Sequence, residues 1–197
     1  PAATQGTVQI AFLPGVPGAA LLVRESAGGL VVERSTDGGA TWRKRGARGL
    51  TGAKALALRA VGEKTLLLST GADTYRSIDG GDTWQALEGV LSSGQAHAFL
   101  SLQGVVLAAT DYGLFGSRDG GALWLPFGAG LPSNSSIAGL LTHPALPGYV
   151  VALLRSAGST EATLILASRD GGAAWMPVGP ALRNDVITAA ALDPADP

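Results

Sequence analysis

The 197-residue sequence contains no cysteine, which removes disulfides, thiolate nucleophiles, zinc ribbons and iron–sulfur ligation together and leaves the redox compartment open. Charge is scarce as well. Only 15% of residues are charged and the formal net charge is −1, so no global field draws the chain to nucleic acid or to an anionic bilayer. Long apolar runs are missing: the longest, such as Tyr149–Leu154, extend about six residues, against the ~20 that a spanning helix requires. Membrane insertion is not expected. Nor does a basic start lead into an apolar core and a small-residue cleavage site, so no signal peptide is expected in the sequence as it stands. What the chain does have is 46% hydrophobic residues, 29 Gly and 11 Pro. That is turn-rich but short of the roughly 25–30% at which aperiodic Gly/Pro content signals disorder. A folded, apolar-cored chain follows.

An internal repeat organises it. Ser35-Thr36-Asp37-Gly38-Gly39-Ala40-Thr41-Trp42 recurs as Ser77-Ile78-Asp79-Gly80-Gly81-Asp82-Thr83-Trp84, as Ser117-Arg118-Asp119-Gly120-Gly121-Ala122-Leu123-Trp124 and as Ser168-Arg169-Asp170-Gly171-Gly172-Ala173-Ala174-Trp175. All 4 Trp of the chain close a copy of this S-x-D-G-G-x-x-W motif. The aspartates stand 42, 40 and 51 residues apart, at or near the period of a four-stranded propeller blade. The chemistry fits a tight hairpin. A short carboxylate accepts backbone N–H groups just ahead of it, two glycines take positive φ without a Cβ penalty, and the indole covers the bend with its N–H in need of one partner.

Around each motif the β-forming runs fall in a constant order. Two precede it at a distance: Val8–Leu13 and Ala20–Val23, Ala55–Val61 and Thr65–Ser69, His97–Leu102 and Val105–Thr110, Ile137–Thr142 and Val150–Leu154. A third leads into the motif, and a short fourth follows it at 43–45, 85–87, 125–127 and 176–178. Pro126 and Pro177 lie in that last segment, which suits an outer strand lacking one ladder neighbour. The sequence therefore predicts an all-β chain of four-stranded antiparallel blades over about 6–47, 50–89, 94–130 and 134–180, as one β-propeller domain or fragment spanning 1–197. Residues 185–193 repeat the pattern of Ile137–Pro144 and read as the first strand of a fifth blade. Three explanations stay open: part of a larger propeller of six to eight blades, which we favour, a four-bladed ring latched by the last segment, or two chains completing one ring. An unpaired first strand is a sticky edge and predicts self-association.

The motif resembles the Asp-box, or bacterial neuraminidase (BNR) repeat, whose usual form is S/T-x-D-x-G-x-T-W. That resemblance implies a propeller of the sialidase and sortilin kind, is similar also to photosystem II assembly-factor propellers, and covers nearly the whole chain. Thr41 and Thr83 match it fully, whereas Leu123 and Ala174 depart from it and remove a hydroxyl contact from those two turns. In the family the box is structural and lies at the outer rim. Asp37, Trp42, Asp79, Trp84, Asp119, Trp124, Asp170 and Trp175 are therefore read as scaffold, not as a catalytic array. The resemblance also implies an extracytoplasmic location, secreted, periplasmic or luminal.

Chemistry of its own is not expected. A sialidase needs an arginine triad, a tyrosine nucleophile with a glutamate beside it and an aspartate acid, and the Phe-Arg-Ile-Pro element that often marks the first arginine is absent. Nothing in the spacing of Tyr75, Tyr112 and Tyr149 pairs them with a glutamate, and no two carboxylates are placed to face each other across a glycosidic bond. His97 and His143 are isolated, so no metal site and no cofactor is expected; His97 reads as a strand residue and His143-Pro144 as a turn. Asp73-Thr74-Tyr75 and Asp111-Tyr112-Gly113 read as turns between second and third strands. The one asymmetry is basic. Arg43, Lys44, Arg45 and Arg48 follow the first motif, and residues 24–59 carry a net +5 against −6 in the remainder. Such a field can steer an acidic partner; the alternative is an outer strand charged against edge pairing. The expected function is a non-enzymatic recognition or assembly module that binds another protein or enters a larger assembly. A carbohydrate-active propeller, sialidase-like or other glycosidase or lectin, with its active residues largely outside this chain, is the alternative.

Overall fold

The computed structural model describes residues 7–52, 54–92, 96–132, 135–155, 162–183 and 190–193. Strands dominate, and the helical content among the described residues is one 3-10 turn at Gly89–Leu91. Four antiparallel sheets follow one another along the chain. The first contains β1 (Val8–Phe12), β2 (Ala20–Ser26), β3 (Gly29–Ser35) and β4 (Arg43–Lys44). The second contains β5 (Ala55–Ala60), β6 (Leu66–Thr70), β7 (Thr74–Ser77) and β8 (Gln85–Ala86). The third contains β9 (Ala96–Leu102), β10 (Val105–Thr110), β11 (Gly113–Ser117) and β12 (Leu125–Pro126). The fourth contains β13 (Ser136–Thr142), β14 (Val150–Arg155), β15 (Ala162–Ser168) and β16 (Met176–Pro177). Each is a meander in which neighbours in sequence are neighbours in space, the arrangement of a propeller blade. This is the all-β propeller architecture that the repeat predicts.

One addition is β17 (Leu182–Arg183), which pairs with the first residues of β15 and extends the outer edge of the fourth blade. Of the expected fifth-blade strand over 185–193, residues 185–189 lie outside the described residues. Residues 190–193 carry no strand assignment.

The chain divides into two compact units, residues 1–96 with 120–122, and residues 97–119 with 123–197. In the first, alternation along the strands sends Ala11 and Leu13, Leu21 and Val23, and Val32 toward the second blade, where they meet Ala55, Leu66, Leu68, Tyr75 and Trp84 in one core. In the second, Leu107, Ala109 and Leu114 meet Ile137, Val150, Ala152, Leu154, Leu166 and Trp175. Each core is thus made between the faces of two blades, because a single four-stranded meander has no interior of its own.

Candidate functional site

The motif turns are built alike. In the first, Gly38 and Gly39 have φ of 74° and 96°, a region in which a Cβ is strained. The buried Ser35 hydroxyl donates to Asp37 Oδ1 at 2.8 Å and accepts the Gly39 N–H at 2.9 Å. Asp37 Oδ1 also accepts the Thr41 N–H at 2.9 Å, past both glycines. The same carboxylate-to-N–H bond recurs from Asp79 to Thr83, from Asp119 to Leu123 and from Asp170 to Ala174, at 2.9–3.0 Å. The opening serine is the part that sequence reasoning left without a role, although its presence in all four copies was the signal. The indole N–H groups of Trp84 and Trp175 find their partners on the carbonyls of Gly81 and Gly172, at 3.0 and 2.8 Å.

Donors crowding the carboxylates make them strong acids. The Thr41 hydroxyl and N–H, with Ser35, hold Asp37 down at about 2. At Asp79 partial burial opposes ionisation, but the Thr83 hydroxyl and N–H and Ser77 outweigh it and again hold the group at about 2. Asp170, which has only the Ala174 N–H and the Ser168 hydroxyl as its main donors, is lowered too. An acid already ionised and saturated with donors is neither a proton donor nor a free base at neutral pH. These groups hold turns.

The basic residues after the first motif part company. Arg43 and Lys44 form the short outer strand β4 and are exposed. Arg45 turns inward and its guanidinium forms an ion pair with Asp82 of the second motif. Arg48 exchanges backbone hydrogen bonds across the same seam, its N–H donating to the Asp82 carbonyl at 3.0 Å and its carbonyl accepting from Trp84 at 2.8 Å, while its side chain stays exposed. The free cationic edge is therefore Arg43, Lys44 and the Arg48 side chain.

A second cluster was not legible in the sequence. His97 Nε2 lies 2.9 Å from Asp111 Oδ1, and the Ser136 hydroxyl donates to the same oxygen at 2.8 Å. Asp111 sits in the β10–β11 turn, His97 in β9 and Ser136 at the start of β13, all at one end of the second unit. The repeat register contained this: first-strand starts and second-to-third turns share an end. Partial burial works against the Asp111 carboxylate, but Ser136, His97 and the charge of Arg155 hold it below its ordinary value. The carboxylate stands between hydroxyl and imidazole, so the histidine does not activate the serine as in a nucleophile–base–orienter chain. Beside it Tyr112 is exposed. Tyr75 differs, buried with its hydroxyl held between Thr51 Oγ1 at 2.6 Å and Asp73 Oδ2 at 3.2 Å. His143 is buried, accepts the Ala145 N–H on Nδ1 at 3.2 Å and so donates from Nε2 to the Asp193 carbonyl at 2.8 Å. Among the described residues no three His, Asp or Glu side chains converge as metal ligands.

No protein-family model matches the chain, and neither does any curated protein. Solved structures do. An ancestral GH74 enzyme superposes with a TM-score of 0.62 at 16% identity, over 89% of this chain and 24% of that one. The GH74 xyloglucanase from Xanthomonas campestris gives 0.52 at 16% identity, over 86% of this chain and 38% of that one. YCF48 bound to a D1 peptide gives 0.50 at 17% identity, over 86% of this chain and 66% of that one. The chain spans less than two thirds of the length of each, and at these identities the likeness is one of fold.

Proposed function

We propose that the chain is a non-catalytic recognition module, built of Asp-box blades, that binds an acidic segment of another protein along the outer edge of its first blade. One observation carries the reading: Arg43 and Lys44 project from a two-residue outer strand with no acidic residue opposite that is free to neutralise them, since Glu33, across from Lys44, is paired with Arg24 at 3.1 Å. An exposed edge strand offers unpaired backbone groups together with charge, the combination that captures extended peptides. The likeness to YCF48, a propeller solved with a peptide bound, supports the same class of function. An extracytoplasmic location belongs to this reading.

The test uses a fluorescent polyglutamate peptide and the chain with Arg43, Lys44 and Arg48 replaced by serine. Binding that weakens with added salt in the parent chain and is lost in the variant supports the reading. Equal, salt-insensitive binding by both would leave the cations as protection against edge pairing. The carbohydrate-active alternative is favoured by the GH74 likeness and by exposed Tyr112 beside Asp111 and His97. It predicts that xyloglucan oligosaccharides bind the parent chain and not Tyr112→Ala.

A further inference from the structure

Three motifs dock alike on the blade before them. The second glycine of each rests on a leucine of that blade's second strand: Gly81 on Leu21, Gly121 on Leu67 and Gly172 on Leu107. Each seam ends at a rim whose position is fixed by the backbone, because the third residue after the indole donates its N–H to the third strand of its own blade. Arg45 donates to Val32, Leu87 to Thr74 and Phe127 to Leu114, at 2.8–2.9 Å.

What fills the rim differs. At the first, the Arg45 guanidinium reaches Asp82 of the next motif. At the last, the Phe127 ring lies against Gly116 and Gly172, with the Arg118 guanidinium 5.8 Å from the ring centre. The middle rim has neither. Leu87 and Ala122 stand at the Arg45 and Asp82 positions, both too short to meet, and an open notch of about 420 Å³ is left there. Ile78, Ala86, Leu87 and Ala122 give it apolar walls, and Arg76 and Glu88 are its charges. Ile78 is 62% exposed.

Those charges select the occupant. Arg76 donates its Nε–H to the Gly120 carbonyl at 2.9 Å, and none of the ion pairs among the described residues includes it. A carboxylate entering the notch would meet Glu88 as well as Arg76, whereas a neutral aromatic ring gains from the guanidinium and from the apolar walls together. The Phe127 rim, a ring beside a guanidinium, is that arrangement made within the chain. The surroundings point to a peptide as the carrier of the ring. Thr83, on the notch wall, is bridged in parallel to Arg48, whose exposed side chain belongs to the cationic edge. Beside the notch, β8 ends the strand order of its sheet, and exposed Gln85 and Ala86 pair on one side alone, with Arg76 and Tyr75. Free ladder groups next to a pocket for one side chain are what an added peptide strand uses.

We propose that this notch receives one aromatic side chain of the acidic partner segment, at the point where that segment passes Arg48 and reaches β8. The acidic part rests on the function proposed above; the ring rests on the notch.

Fluorescence anisotropy with the whole chain compares a labelled polyglutamate peptide with the same peptide carrying one central phenylalanine in place of a glutamate. Charge alone makes the second peptide the weaker binder. The expected result is the reverse, a gain of roughly tenfold, as an aromatic anchor in a pocket gives, with upfield ring-current shifts of the Leu87 and Ala122 methyl resonances. Leu87→Arg combined with Ala122→Asp rebuilds the ion pair of the first rim and fills the notch at constant net charge, so it should remove the gain and leave polyglutamate binding unchanged. Ile78→Ser, at an exposed position, serves in its place if circular dichroism shows the double variant unfolded, and should shrink the gain. Equal or weaker binding of the phenylalanine peptide, or a gain that survives the filled notch, would overturn the proposal. Failure of polyglutamate to bind would instead overturn the cationic-edge reading, and the notch is then judged on a serine–glycine peptide with and without the phenylalanine. Methyl shifts produced only by the ring-bearing peptide support the aromatic site, and their absence overturns it.

Discussion

Between the first two blades the rim of the seam is ionic, and between the last two it is apolar, although both join the same motif to the same strand position. In the first unit Leu21 receives Gly81, and around that contact Arg45 pairs with Asp82 while the Arg34 guanidinium lies against Gly80. In the second unit Leu107 receives Gly172, but Phe127 stands where Arg45 does, as shown by the equivalent N–H bonds of both residues to Val32 and Leu114. Gly116 replaces the arginine at the Arg34 position, and it has to be glycine: a Cβ there would lie 2.6 Å from the Phe127 ring. The invariant part of the seam is the glycine on the aliphatic side chain, and the variable part is whatever fills the rim. Part of the basic run after the first motif is therefore rim chemistry, which composition alone could not separate from a binding edge.

The largest test of the invariant part is the indole. Trp84→Ala and Trp175→Ala should each cost roughly 3–5 kcal/mol, the usual loss for a buried aromatic, because both rings are sealed within a seam. Trp42→Ala should cost less, under about 2 kcal/mol, since its ring is only partly buried where the other two are sealed. Urea denaturation of the three variants measures the ranking. Equal losses would mean that Trp42 is covered in solution, and the difference between the units would then lie only in their rims.

Blade order, strand positions and turns were legible because each rests on local chemistry. Glycine pairs fix the bend, period-two alternation fixes the face, and β-branched runs fix most strands to within a residue or two, as Val105–Thr110 and Val150–Arg155 show, whereas β2 runs three residues past the expected Val23, through the polar Arg24, Glu25 and Ser26. Seam partners were not legible, because Arg45 and Asp82 are 37 residues apart and nothing local distinguishes an arginine aimed at a neighbouring blade from one aimed at water. The same holds for His97, Asp111 and Ser136, which become one cluster only when three strands are laid side by side.

A smaller effect separates the two rims. The side chains of Arg45 and Asp82 are 31% and 42% exposed, so their attraction is screened, and Asp82→Ala should cost only about 0.2–1 kcal/mol at low ionic strength and nothing measurable in high salt. Phe127→Leu, at the equivalent position of the other seam, should cost about 1 kcal/mol at every salt concentration. Melting temperatures across a salt series distinguish them. Parallel salt responses would show that the ion pair contributes nothing to the first seam and that packing alone holds both.

The smallest effect lies within the motif and again divides the units, because the threonine hydroxyl is present at Thr41 and Thr83 and absent at Leu123 and Ala174. Asp37, held at about 2 against an ordinary 3.8, is bound more tightly as a carboxylate in the folded turn than in the unfolded chain. A depressed acid of this kind stabilises the fold fully above the ordinary carboxylate value and ceases to do so as pH falls from there through about 2. Thr41→Val removes the hydroxyl but keeps the shape and the N–H donor, so Asp37 should titrate at higher pH and its share of stability should be lost earlier on acidification. Ala174→Thr should do the opposite at Asp170, whose main donors are now one backbone N–H and the serine hydroxyl. Carboxyl carbon titration by NMR reads both shifts directly. If neither substitution moves its aspartate, the hydroxyl is incidental and the serine with the backbone N–H accounts for the whole depression, which would make the turns of the two units chemically equivalent despite their different sequences.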